Sequence, residues 1–182
     1  MNHDDHVSLL RPARLPLGGT WADLGSGTGA FTLALRELVG PDAVIYAVDK
    51  DRSGLAELRR RYEGRFGEAS SLRILHADLQ AIPDLPPLDG VLMANSLHFF
   101  KDKAELLSRV RGLLNPGGIL LLVEYNVYRG NPWVPYPLSF STFKSAAAAA
   151  GFQKPRLVAT HPSSFLQEFY AARAIWDQRS AP

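Results

Sequence analysis

The 182-residue chain carries 20 Lys and Arg against 18 Asp and Glu, a net charge of +2 that gives no general argument for a polyanionic partner. It holds no cysteine, which excludes disulfides, thiolate metal sites and cysteine nucleophiles. A composition of 46% hydrophobic and 21% charged residues is that of a globular domain, and one domain over 1–182 buries roughly 70% of its unfolded surface. No apolar run approaches the ~18 residues of a membrane span. The polar opening Met-Asn-His-Asp-Asp-His has no apolar signal region behind it, so a cytoplasmic protein is expected.

In chain order, residues 3–11 read as a short helix before Pro12. Residues 20–25 read as a first strand. A helix over 29–39 follows, with apolar positions 31, 34, 35 and 38 at helical spacing, and Gly40-Pro41 stops it. Residues 43–48 form a near-continuous apolar run ending at Asp49, as in a parallel strand buried on both faces. A helix over 53–65 turns Leu55 and Leu58 inward and its arginines outward. Strands are expected at 72–75 and 88–94, then a helix over 101–114 that ends at Asn115-Pro116-Gly117-Gly118. A fifth strand covers 119–123. The aromatic and proline-rich stretch 125–138 reads as a loop or lid. Ser139 or Ser141 then caps a helix that runs through the alanines to Gly151. Segments 156–160 and 165–174 read as a closing hairpin turned at 161–164. Strands alternating with helices define βαβ units, hence a parallel sheet with helices on both faces.

The chemistry concentrates at Asp23-Leu24-Gly25-Ser26-Gly27-Thr28-Gly29, a strand, a glycine turn and a helix start. Glycines let the backbone lie against a ligand, and a helix start offers unpaired N–H groups to something polar and nucleotide-like. The spacing alone is ambiguous. Gly25, Gly27 and Gly29 fit G-x-G-x-G, whereas Gly25, Gly27 and Ala30 fit the dinucleotide fingerprint. In an open α/β sheet, ligands sit at the carboxyl ends of the strands. The polar residues there are Asp23, Asp49, Asp78, Asn95 and Glu124. Asp49 lies 24 residues after Gly25, where a carboxylate accepts both ribose hydroxyls; the alternative is a cap on the helix near Ser53. Asp78 is placed for an adenine amino group or for holding its own turn.

These residues resemble the class I S-adenosylmethionine-dependent methyltransferases of the small-molecule type. The glycine segment matches that family's first motif, Val48-Asp49-Lys50 its ribose-binding acid, and Ala77-Asp78-Leu79 the pair beside adenine. Asn95-Ser96-Leu97-His98-Phe99-Phe100 is similar to the segment near the methionine part. Leu114-Asn115-Pro116-Gly117-Gly118 is similar to the approach to strand five. The resemblance implies a Rossmann-like three-layer α/β sandwich, with a mostly parallel seven-stranded sheet of order 3-2-1-4-5-7-6 and strand 7 antiparallel. It also implies S-adenosyl-L-methionine as cofactor, with S-adenosyl-L-homocysteine as product. Asp23, Gly25, Ser26, Gly27, Gly29, Asp49, Lys50, Asp78, Leu79 and Asn95 would bind it, with no metal. Asp23 would receive the ammonium directly or through water.

His98 is the candidate general base, because imidazole titrates near neutral pH and the residue follows strand four. The alternative is packing beside Phe99 and Phe100. Glu124 is a second candidate, or a backbone-binding acid. Tyr128, Trp133 and Tyr136 offer an apolar substrate wall. Nineteen residues precede Thr20, so the family's N-terminal substrate cap is short or missing. The site is then open, or covered by a partner subunit in a homodimer. The segment after strand four lacks the Asn/Asp-Pro-Pro-aromatic motif of enzymes that methylate amino groups of nucleic acids and proteins, which favours a small molecule. Arg59, Arg60, Arg61 and Arg65, with Lys50 and Arg52 nearby, read as a solvated helix face. As an RNA-contact patch they would support a macromolecular substrate instead. A catalytically silent cofactor-binding partner protein is the third reading.

Overall fold

A computed structural model of the protein describes residues 1–177. Seven strands form one sheet of order β3-β2-β1-β4-β5-β7-β6. They are β1 (Thr20–Leu24), β2 (Val44–Asp49), β3 (Leu72–His76), β4 (Leu88–Ala94), β5 (Leu114–Tyr125), β6 (Gln153–Pro162) and β7 (Glu168–Ile175). β1 pairs in parallel with β2 and β4, β2 with β3, and β4 with β5, while β7 runs antiparallel to both β5 and β6. This is the expected order and direction.

The helices are α1 (His3–Leu10), α2 (Ala30–Val39), α3 (Arg52–Phe66), α4 (Lys103–Arg111) and α5 (Phe140–Ala149). α1, α2 and α3 bury Leu10, Leu35, Leu58 and Tyr62 against one face of the sheet, in a core that includes Trp21 and Ile45. α4 and α5 bury Leu107, Val110, Phe143 and Ala147 against the other face, with Met93, Leu120 and Tyr170. Two cores on one sheet make a three-layer α/β/α sandwich. Central strands therefore need apolar side chains on both faces, which is why β2 and β5 read as apolar runs. Gly90 in β4 leaves space for the fully buried Trp21, whose ring occupies the place of a Cβ there.

Several local readings differ from the structure. Residues Asn115 to Gly118 lie inside β5 as a bulge, since Leu114 already pairs with Leu88 and Ile119 with Gly90. Gly117, at φ +87°, permits that bend. α4 starts late because Asp102 accepts from the Glu105 N–H and caps it. In the final hairpin β6 extends further at both ends and β7 starts later than expected, so the turn lies at 163–167, where Ser163 Oγ accepts from Phe165 and Leu166 N–H. Ser139, rather than Ser141, caps α5 through the Thr142 N–H. Of the expected loop 125–138, Tyr125 instead ends β5, while 126–138 is irregular apart from an Asn131–Val134 bridge and is anchored by buried Val127, Val134 and Leu138. No helix among the described residues is long and apolar enough to cross a membrane.

Candidate nucleotide-cofactor site

Strand order reverses between β1 and β4, so the two adjacent carboxyl ends leave a crevice. The glycine turn floors it. Gly25, Gly27 and Gly29 have φ of +86°, +51° and +83°, conformations that glycine adopts without steric cost. A Cβ on Gly25 would stand 2.5 Å from Ser96 Cβ, and one on Gly29 2.5 Å from Leu58 Cγ. Gly27 faces open space, with nothing within 4 Å of its Cβ position. Gly25 and Gly29 thus serve the close packing of the turn, whereas Gly27 clears the crevice. The N-cap of α2 is Gly29, so no cap side chain hydrogen-bonds to the helix's first N–H groups.

Two adjoining cavities open there, sharing Gly25, Gly27 and Asn95. The first, of 280 Å³, is lined by Asp49, Lys50, Ala77, Asp78, Leu79, Ser96, Phe99 and Phe100 besides the shared residues. Asp49 is held in place by accepting the Gly27 N–H at 2.7 Å and the Asp51 N–H at 2.8 Å. It does not cap α3, a task that falls to Asp51 through the Ser53 N–H. Asp78 does hold its own turn, accepting from Gln80 N–H at 2.9 Å, and it lines the cavity as well. Ser96 donates to the Leu24 carbonyl at 2.8 Å, tying the end of β1 to the segment after β4.

The second cavity, of 230 Å³, is lined by His6, Asp23, Ser26, Thr28, Ala30, Phe31 and Ala94 besides the shared residues. Four buried side-chain polar atoms lack a partner among the described residues, and three of them, Asp23 Oδ1, Ser26 Oγ and Asn95 Oδ1, belong to residues of this cavity. Buried polar atoms are otherwise almost always satisfied, and here three unsatisfied ones belong to residues of a single cavity. Asn95 Oδ1 accepts only, as does Asp23 Oδ1 once ionised, which suits a cation carrying several N–H groups. The other Asp23 oxygen accepts from Thr32 Oγ1 at 2.6 Å. Burial pushes the Asp23 carboxyl up to about 7; the Thr32 hydroxyl opposes the rise and Asp49 adds to it. Asn95 takes φ +53°, a left-handed conformation that asparagine tolerates better than most side chains, and such strain clusters at functional sites.

The structure therefore brings Asp23, Gly25, Ser26, Gly27, Asp49, Lys50, Asp78, Leu79 and Asn95 around one crevice. Gly29 and His98 do not line either cavity. His98 is buried, its Nδ1 2.7 Å from Glu124 Oε2, and its ring packs 4.3 Å from that of Phe99. Glu124 is itself fully buried and accepts the N–H groups of Leu97 and His98 through Oε1, at 3.0 and 3.1 Å. The geometry shows the packing alternative for His98, on Phe99, and the backbone-binding one for Glu124, and it joins the two side chains.

Aromatic side chains gather beside this pair. Tyr125 lies 5.8 Å from Phe165, and Trp133 meets Phe165 edge-on at 6.0 Å, while Phe99, Trp133 and Phe165 all remain more than half exposed. Phe165 escaped the sequence reading because it sits in the β6–β7 turn, and only antiparallel pairing returns that turn to β5. On α3, Arg60 forks onto Glu57, Arg59 lies 3.8 Å from Glu63, Arg65 meets Glu37, and Arg61 donates to the Thr28 carbonyl. Three of these arginines thus face acids, and Arg61 is tied to backbone. Gly54 lets α3 approach the turn, since its Cβ would meet the Gly27 backbone at 3.2 Å. No signal in the helix pattern announced that contact.

A glycine-floored crevice at the reversal of a 3-2-1-4-5-7-6 sheet, with acids on three successive strand ends, defines a nucleotide-cofactor domain of the class I methyltransferase type. The family described as a methyltransferase domain matches residues 22–120, and the chain belongs to it. The chain is 35% identical over 127 residues to an uncharacterized methyltransferase of Mycobacterium tuberculosis, covering 68% of this chain and 60% of that protein. It is 37% identical over 127 residues to a carboxy-S-adenosyl-L-methionine synthase of Pseudomonas putida, covering 66% and 51%. The match thus spans about half to three fifths of the length of these relatives. In fold it is similar to a SAM-dependent methyltransferase from Aquifex aeolicus, with a TM-score of 0.72 at 20% identity, over 94% of this chain and 89% of the other.

Proposed function

We propose that the chain binds S-adenosyl-L-methionine, releases S-adenosyl-L-homocysteine and moves a methyl group to a small-molecule acceptor by in-line displacement. The observation that carries this reading is the run of unpartnered polar atoms in the second cavity, joined to an acid-lined first cavity. Asp23, Ser26 and Asn95 would meet the ammonium end. Asp49 would accept the ribose hydroxyls, and Asp78 and Leu79 would flank the base, with Lys50 at the rim. When bound, the cofactor supplies a methyl group already activated on a sulfonium. What remains for the protein is to align the acceptor, and alignment supplies ~7–11 kcal/mol in favourable cases.

His98 and Glu124 are assigned to the acceptor's proton. With Nδ1–H donated to the Glu124 carboxylate, Nε2 is left as the accepting nitrogen, and the acid stabilises the imidazolium that forms. The exposed aromatics Phe99, Trp133 and Phe165 favour an apolar or aromatic acceptor body. Three arginines of α3, Arg59, Arg60 and Arg65, face acids of this chain, which weighs for the small-molecule reading over RNA. Calorimetry against S-adenosylhomocysteine and NAD tests the cofactor. Binding of NAD in preference to S-adenosylhomocysteine would overturn the reading. A screen with labelled methyl donor over a metabolite library then names the acceptor. Tight cofactor binding with no transfer to small molecules, RNA or protein would mark a silent partner protein.

A further inference from the structure

The second cavity has one wall that the glycine motif does not supply. His6, on α1, lines it together with Asp23, Ser26 and Asn95. Its ring stands edge-on to Phe31 at 4.6 Å, and no hydrogen bond to its nitrogens is made within the described residues. α1 is held over the crevice by its buried Val7, Leu9 and Leu10, by His3 Nε2 at 2.8 Å from Glu37, and by Asp5 at 3.6 Å from His161. A capping box between Asn2 and Asp5 fixes its start. The position of His6 is thus built.

The unpartnered atoms of this cavity can welcome an ammonium, but an amino-acid end also brings a carboxylate next to it. No lysine or arginine among the described residues lines the cavity. A carboxylate there needs N–H donors, and the lining offers the N–H groups at the start of α2 and the imidazole of His6. Burial holds His6 down to about 4, so near neutral pH the ring is uncharged, with one donor and one acceptor nitrogen.

We propose that His6 is a cofactor-binding residue, donating a ring N–H to the carboxylate of the cofactor's amino-acid end, so that α1 closes that end of the site. The proposal rests on the S-adenosylmethionine reading given above. It makes α1 part of the binding site, not merely a helix packed on α2.

The test is calorimetry with three ligands: S-adenosylhomocysteine, its decarboxylated analogue, and 5′-methylthioadenosine, which lacks the whole amino-acid end. His6→Phe keeps a ring against Phe31 and His6→Leu keeps apolar bulk; both remove the nitrogens, and either one folding suffices. Each should bind S-adenosylhomocysteine about tenfold or more weakly, the range for a hydrogen bond to a charged group. The decarboxylated analogue and methylthioadenosine should bind as to wild type. His6→Gln, which retains a donor, should recover part of the loss. Unchanged S-adenosylhomocysteine affinity in a folded variant overturns the proposal, and so does an equal loss for all three ligands, which would make His6 a packing residue. Wild-type protein that fails to bind S-adenosylhomocysteine at all overturns the cofactor reading and this proposal with it.

Discussion

Asp23→Asn separates the stability of this fold from its ligand chemistry. The carboxyl is fully buried, takes one hydrogen bond from Thr32, and leaves Oδ1 without a partner. Its raised value of about 7, against an ordinary 3.8, means that the folded protein prefers the protonated form. The sign follows. This preference stabilises the fold fully below pH 3.8, weakens as pH rises, and is gone above about 7. At 1.36 kcal/mol per pH unit, the stretch from pH 5 to about 7 corresponds to ~3 kcal/mol. The asparagine variant keeps an acceptor for Thr32 and has no such titration. Urea denaturation at pH 5 and at pH 8.5 should therefore show the variant gaining ~3 kcal/mol on wild type between the two conditions. Taking the difference within each pH cancels every other titrating group. A gap that stays constant between the two would refute the reasoning. The same variant should bind S-adenosylhomocysteine far more weakly, because the ammonium loses its charged partner. In wild type, calorimetry near pH 7 should report proton release on binding, read as a dependence of the heat on buffer ionisation, since an ammonium draws Asp23 into its ionised form. The variant should release none.

Asp49→Ala should weaken S-adenosylhomocysteine binding at least tenfold, since hydrogen bonds to a charged group contribute roughly 1.5–3 kcal/mol; unchanged calorimetric affinity in a folded variant would remove Asp49 from the site. Gly27→Val should fold, with a left-handed penalty of about 1–2 kcal/mol, yet lose cofactor binding, because its side chain enters the open crevice. Gly25→Ala should instead show its loss mainly in denaturant midpoint, since its Cβ meets Ser96. If both variants bind normally, the glycine segment is only a turn. His98→Gln should lower turnover by roughly 10²–10⁴ while leaving cofactor affinity within about twofold, and the acidic limb of the pH–rate profile should vanish. Wild-type turnover in the folded variant would reject the base role.

Much of this protein was legible before its structure. The apolar runs of β2 and β5, the helical period of α2 and the glycine turn are local signals, set by backbone sterics and by burial on one face or two. Because ligands of such sheets sit at strand ends, Asp23, Asp49, Asp78 and Asn95 could be picked as the last polar residues after apolar strands. The bulge at Asn115 to Gly118 was misread for the same reason: Pro and Gly signal a turn in isolation, and only pairing with Leu88 and Gly90 draws them into β5.

What the sequence by itself determined was the kind of most elements, the order of the strand-end acids and the family pattern they compose. The tertiary structure alone decided which distant groups meet. Glu124 reaches His98 across 26 positions because parallel β4 and β5 end side by side. Phe165 stands beside Tyr125 because β7 returns antiparallel. His6 looks into the cavity of Asp23 because α1 packs on α2, and Gly54 admits α3 against the glycine turn. Such contacts leave no periodicity in the chain. They arise from the order and direction in which elements bury their apolar faces, and that is a property of the assembled sheet.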